Sequence, residues 1–182
     1  MGIDARANSR NGDTIVIVAG GTHAGSIYAR SEEEIVSLID HIMSDLLQGG
    51  RTPEGFEIMP EHATVTVIED GHSGRVEGMW PSSYLHVSVN TSNGYGALRW
   101  FSTTPPSGGG GDHINGFVWV SENPNPPTFD PKLILDSSTP LYYPRESAFP
   151  VAKVREGLEE FCRARSGERP ECIPWMVDQH TV

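Results

Sequence analysis

Apolar residues recur at helical spacing between positions 31 and 48: Ile35, Leu38, Ile39, Ile42 and Leu46 line one stripe, with polar residues opposite. Ser31 and Glu34 stand three apart where this run begins, the arrangement of a capping box. Glu32 and Glu33 add negative charge at the positive end of the helix dipole. Gly49-Gly50 is expected to stop the helix. Ahead of it, residues 14–19 read as a short strand closed by Gly20-Gly21. The glycine-spaced run from Gly20 to Ser26 reads as a turn joining two strands.

From position 63 the period changes. Val65 and Val67 alternate with Thr64 and Thr66 over 63–68, and Leu85, Val87 and Val89 alternate with His86 and Ser88 over 84–90. Thr91-Ser92-Asn93-Gly94 follows, and Asn-Gly is a strong hairpin signal because both residues tolerate positive φ. The return strand, 95–102, sets Leu98 and Trp100 on one face and Ala97, Arg99 and Phe101 on the other; a further strand is expected over 117–122. Residues 123–131 hold four prolines in nine positions, which makes them a connection and not a strand interior.

Residues 132–136 read as a short edge strand. Pro150 suits the first turn of a second helix, whose stripe is Val151, Val154, Leu158 and Phe161 and whose end is Ser166-Gly167. Residues 172–176 leave room for one last strand. Strands gathered between two helices, without strand–helix–strand alternation, predict an α+β fold. It would be a single antiparallel β-sheet of meander and hairpins, with an N-terminal and a C-terminal helix packed against it. The 182 residues read as one domain, with 1–13 a flexible lead-in and the loops 103–113 and 123–131 as elaborations.

Charge narrows the function. Lys and Arg total 13 against 24 Asp and Glu, a net charge of −11, which argues against direct nucleic-acid binding and for a basic partner. Residues 1–62 carry ten acids and four bases and residues 63–149 eight and four, whereas 150–182 are near balance with six and five. No apolar run approaches the roughly 18 residues of a membrane span, and the five apolar residues at 15–19 are too few for a signal-peptide core. The expectation is a cytoplasmic protein with no membrane partner. Cys162 and Cys172 are too few for a disulfide scaffold. They are ten residues apart, so a bridge is geometrically possible, but a cytoplasmic setting favours reduced, packed thiols.

Candidate reaction centres are incomplete. Gly71-His72-Ser73-Gly74 falls short of a nucleophile elbow, because Arg75 stands where the closing glycine is needed. The run from Gly20 to Ser26 lacks the Gly-Lys-Ser/Thr of a phosphate-binding loop. The seven histidines form neither a His-x-x-x-His pair nor a His-Glu-x-x-His motif, so no metal or cofactor site is expected. His41, mid-helix, and His86, on a strand's polar face, read as surface or hydrogen-bonded histidines. Asp112-His113, beside four consecutive glycines, is the hardest to set aside. The rival to a binding protein is therefore a small hydrolase or ligand-binding enzyme using the 71–74 or 112–113 loops.

Two stretches carry a family resemblance. One is Tyr84-Leu85-His86-Val87-Ser88-Val89-Asn90 followed by Gly94-Tyr95-Gly96-Ala97-Leu98-Arg99-Trp100. The other is Phe149-Pro150, a helix ending Leu158-Glu159-Glu160-Phe161, and the close Gly167-Glu168-Arg169-Pro170-Glu171-Cys172-Ile173-Pro174-Trp175. In this order they resemble the Imm1 family of bacterial immunity proteins. The resemblance implies a non-catalytic binding protein that occludes a cognate toxin domain, often a nucleic-acid deaminase or a nuclease. It maps the family's recurrent residues to Gly94, Gly96, Trp100, Pro150 and Trp175, which read as structural: glycines for the turn, tryptophans for the core. For the basic toxin, the expected contacts are Glu69, Asp70, Asp112 and Glu122, acids at strand ends beside Gly- or Pro-rich loops; Glu32 and Glu33 are the next acidic candidates.

Overall fold

The computed structural model describes residues 15–22, 25–69, 81–105 and 117–178. The flexible lead-in expected over 1–13 lies outside the described residues. The described residues begin with a hairpin, β1 (Ile15–Thr22) and β2 (Gly25–Ala29), and then enter α1 (Glu32–Ser44). The capping box forms as the spacing requires: the Ser31 hydroxyl accepts from the Glu34 N–H at 3.2 Å and the Glu34 carboxylate accepts from the Ser31 N–H at 3.1 Å. The stripe Ile35, Leu38, Ile39 and Ile42 is buried, as is Leu46 just past the helix end.

A small hairpin follows, β3 (Gly50–Arg51) with β4 (Glu57–Ile58), and then the central strands β5 (Ala63–Glu69), β6 (Ser83–Asn90), β7 (Tyr95–Ser102) and β8 (Phe117–Ser121). Beyond them come β9 (Ile134–Asp136), β10 (Leu141–Tyr142), β11 (Phe149–Pro150), α2 (Val151–Ala164) and β12 (Trp175–Val177). The main sheet runs β12-β8-β7-β6-β5-β1-β2, with β11 added beside β7, and every pairing is antiparallel. The α+β class holds. The sheet is joined by two separate two-stranded ones, β3-β4 and β9-β10.

Both helices cover one face. Leu85, Val87, Val89, Leu98 and Trp100 pack with Ile35, Leu38, Ile39 and Ile42 of α1 and with Val154, Leu158 and Phe161 of α2. Gly96 is what lets α2 lie this close: a Cβ there would stand 2.7 Å from the Ser88 carbonyl oxygen and 3.2 Å from Val154. The opposite face of β7 and β8 is covered as well. Ala97 and Val120 pack with Leu133, Leu135, Tyr143 and Ala148, all from the segment between β8 and α2. The proline-rich stretch belongs to this strap, since the Asn90 and Asn93 side-chain amides both donate to the Pro131 carbonyl at 3.0 Å.

Several boundaries differ from expectation, each for a local reason. Gly20 and Gly21 do not end β1; Gly20 pairs with Thr64 and the strand continues to Thr22. α1 ends at Ser44, before Gly49-Gly50, because the Asp45 N–H already closes on His41. The β6–β7 loop has four residues, 91–94, and of its Asn-Gly pair only Gly94 takes positive φ, +75°. Pro150 is the N-cap of α2 and not part of its first turn, since it is extended and paired with Tyr95. The 132–136 strand is no edge of the main sheet; Ile134–Asp136 pairs with β10 inside the strap. The last strand sits at Trp175–Val177, later than 172–176.

Candidate interaction surface

Antiparallel pairing decides which acids share a surface. Glu69 closes β5 opposite Ile15, at the end of the sheet where Ser83, Ser102 and Phe117 lie side by side. Glu122 follows β8 at the other end, exposed, its N–H donating to the Pro174 carbonyl at 2.8 Å. Carried through the registers, Glu122 is level with His62, so the two are about 23 Å apart along the strand direction, at about 3.3 Å per residue. Asp70 and Asp112 lie outside the described residues, as do His72, Ser73 and His113. The strand ends flanking those segments, Glu69 on one side and Ser102 and Phe117 on the other, belong to the Glu69 end.

The helical face is acidic in sequence but largely neutralised in space. Arg165 donates to Glu32 at 2.9 Å, Arg155 bridges Asp40 and Glu159, and Arg163 joins Glu159 at 3.1 Å. Lys153 pairs with Glu156, and Glu34 is held in the capping box, its carboxyl below the usual range because two backbone N–H groups donate to it. Exposed pairs of this kind contribute little stability, yet they remove Glu32 and Asp40 from the field of unpaired charge. Of the two alternative acids on α1, Glu32 is thereby answered by Arg165.

Arg169, the remaining base of the C-terminal segment, lies among the tryptophans, with its guanidinium 4.3 Å from the Trp119 ring centre, 5.8 Å from Trp175 and 6.0 Å from Trp100. Trp100 is fully buried and its indole N–H donates to the Gly167 carbonyl at 3.0 Å. Trp175 is half-buried and its indole N–H donates to the Pro170 carbonyl at 2.7 Å. The C-terminal loop is thus pinned to β7, β8 and β12 by one cation and two indole hydrogen bonds.

Beyond the strap, the second sheet face carries a half-buried row of rings. Tyr84 stacks on Phe101 at 4.7 Å and on His86 at 4.8 Å, and His86 meets His62 at 5.0 Å. His86, which reads in the sequence as a surface or hydrogen-bonded histidine, is half-buried in this row. Burial first, then the nearby His62 and Arg99, push its pKa down to about 3. The folded protein keeps it neutral while the unfolded chain binds a proton below about 6.5. Stability from this site is complete above pH 6.5 and declines as pH falls toward 3. Chemical denaturation at pH 7 and pH 5.5 is expected to show a loss of about 1 kcal/mol from this site, which His86→Phe should abolish. An unchanged slope in His86→Phe would contradict the assignment.

Among the described residues, no group of three or more His, Cys, Asp and Glu side chains is placed to hold a metal. Both cysteines are free, and burial pushes the Cys162 thiol up to about 12. No helix in the described residues is long and apolar enough to cross a membrane.

An antiparallel sheet backed by two helices and strapped across its second face defines an α+β protein. Residues 23–177 match the family described as immunity protein Imm1, and the chain belongs to that family. It is an immunity protein, whose partner is a toxin. No curated protein and no solved structure matches the chain. The resemblance carried by Gly94, Gly96, Trp100, Pro150 and Trp175 falls within the matched span. What the sequence reading missed is the ring row on the second face. Its signal was the i,i+2 spacing of Tyr84 and His86 opposite Arg99 and Phe101.

Proposed function

We propose that this immunity protein binds the domain of a cognate toxin that acts on nucleic acid, a deaminase or a nuclease. It neutralises that domain by occluding the active site, as a single cytoplasmic domain without catalysis of its own. The observation that carries the reading is the family match over residues 23–177, and the net charge of −11 gives it physical content. A cleft that holds nucleic acid presents Lys and Arg to phosphates, and carboxylates answer the same groups. They accelerate encounter and block the substrate path together.

The acids proposed to do this are Glu69, Asp70, Asp112 and Glu122. Because Glu69 and Glu122 stand at opposite ends of the sheet, charge reversal is read one end at a time. Lysine replaces Glu69, Asp70 and Asp112 in one variant and Glu122 in another, and association with the toxin encoded beside the immunity gene is followed at low and high salt. At the contacting end, reversal is expected to slow association roughly tenfold at low salt, with the difference shrinking as salt rises. Unchanged rates for both variants would reject the acidic strand-end surface.

A further inference from the structure

Between α1 and β5 the chain makes a small excursion that the core does not require. Its base is clamped: the Leu47 N–H donates to the Glu61 carboxylate at 3.1 Å and the Glu61 N–H to the Leu47 carbonyl at 2.8 Å. Its tip is the turn Thr52-Pro53-Glu54-Gly55, closed by the Gly55 N–H on the Thr52 carbonyl at 2.9 Å, with proline and glycine at the positions such a turn favours. The Thr52 N–H reaches the Phe56 carbonyl at 2.8 Å, and the Phe56 N–H returns to the Thr52 hydroxyl at 3.2 Å. The backbone at Phe56 is thereby fixed before any partner arrives.

The ladder Gly50↔Ile58 and Arg51↔Glu57 gives the hairpin two unlike faces. Phe56 and Ile58, two apart, share one face; Glu57 and Arg51 share the other. Gly50 puts no side chain across from Ile58, and a Cβ there would meet nothing within 4 Å. Phe56 is 70% exposed and Ile58 40%, so among the described residues the apolar face is left largely open. Large apolar side chains on a backbone that is already hydrogen-bonded in place are the kind of group that anchors an interface, because little backbone ordering remains to be done on binding.

Charge selects the occupant. Across residues 45–61, Asp45, Glu54, Glu57 and Glu61 face the lone base Arg51, and the whole chain carries −11. A second copy would bring acid against acid, and an anionic lipid surface would repel the hairpin for the same reason. A partner with an apolar pocket rimmed by Lys or Arg satisfies both features. The hairpin base leads directly into Ala63, which pairs with Val87, so the hairpin sits at the Glu122 end of the sheet. Three strand spacings of about 4.8 Å separate β5 from β8, well inside one ordinary interface.

We infer that the β3–β4 hairpin is the anchor by which this protein docks on its toxin, with Phe56 and Ile58 entering an apolar pocket and with Glu54, at the hairpin tip, and Glu57, on its other face, drawing in the bases that surround it. The inference rests on the toxin-binding reading above and assigns the anchor to the Glu122 end. The experiment measures binding of the purified toxin domain encoded beside the immunity gene to four proteins: wild type, Phe56→Ala, Ile58→Ala, and the double variant Glu54→Lys/Glu57→Lys. Both apolar variants should keep the wild-type melting temperature, since neither side chain is buried. Phe56→Ala should weaken Kd roughly tenfold or more, chiefly through faster dissociation, and the charge variant should slow association at low salt.

Wild-type binding with unchanged Kd in Phe56→Ala and Ile58→Ala would overturn the anchor and leave the immunity reading standing. No binding by the wild type would overturn both. Sedimentation should show a monomer at all concentrations. A dimer that Phe56→Ala dissolves would give the hairpin to a second copy and also overturn the inference.

Discussion

Replacing Trp100 by alanine is expected to destabilise the protein by about 3–5 kcal/mol, the usual range for truncating a buried large aromatic. Trp100 is 1% exposed and sits on β7 with Leu85 opposite on β6 and Trp119 opposite on β8. Alanine would open a cavity between sheet and helices and leave the Gly167 carbonyl without its indole donor. It would also remove one of the three rings around Arg169. Trp100→Phe separates the causes: it keeps most of the volume and loses the hydrogen bond, so a smaller cost of about 1–2 kcal/mol is expected. Urea unfolding followed by far-UV circular dichroism measures both. A cost below about 1 kcal/mol for alanine would mean that this residue does not organise the core.

The second large effect belongs to a charge. Arg99 donates from Nε to the Asp178 carboxylate at 2.7 Å, and the Asp178 side chain is only 1% exposed against 17% for Arg99. The Asp178 N–H in turn donates to the Val118 carbonyl at 3.0 Å, which fixes the aspartate just beyond β12. Arg99→Met keeps the length of the side chain but takes the guanidinium from a buried carboxylate, and a loss of about 3–5 kcal/mol is expected. Arg99→Met combined with Asp178→Leu should cost clearly less than Arg99→Met alone, because two apolar groups need no counter-charge. Equal costs for the single and double variants would show that packing and not the ion pair is at stake. Both are read by denaturant unfolding at neutral pH.

What was legible in the sequence was whatever local chemistry decides. Ser31 and Glu34 specify the start of α1 because both hydrogen bonds of the box lie within four residues. The alternation through Leu85, Val87, Leu98 and Trp100 specifies the β6–β7 pair because a one-residue slip would turn every one of them outward. The strap was not legible. Leu133, Leu135 and Tyr143 cover Ala97 and Val120 from a segment whose prolines read as a plain connection, and contact at that sequence distance leaves no periodic mark. The surroundings of His86 were hidden for the same reason: its alternation position is polar, and His62, one of the two rings against it, comes from outside its strand.

The candidate surface divides along similar lines. Of the acids expected at strand ends, Glu122 is exposed. Their separation could have been derived, however. From β5 to β8 there are three antiparallel steps, so the two strands run in opposite directions and their last residues point to opposite ends. The β3–β4 hairpin gave a signal in Thr52-Pro53-Glu54-Gly55, but its two-residue strands are too short to show alternation, so Phe56 did not stand out.

The central claim is that the protein acts by occupying its toxin and not by turning over a substrate. Stoichiometry tests this most directly. The purified toxin domain encoded beside the immunity gene is assayed on its substrate, nucleic acid in the function proposed above, while the immunity protein is titrated in. Inhibition should grow linearly and be complete near one immunity protein per toxin, independent of preincubation time once binding is finished. Full protection at a small fraction of one equivalent, deepening with time, would mean the chain is an enzyme, and no inhibition at any ratio would mean that it is not this toxin's antagonist.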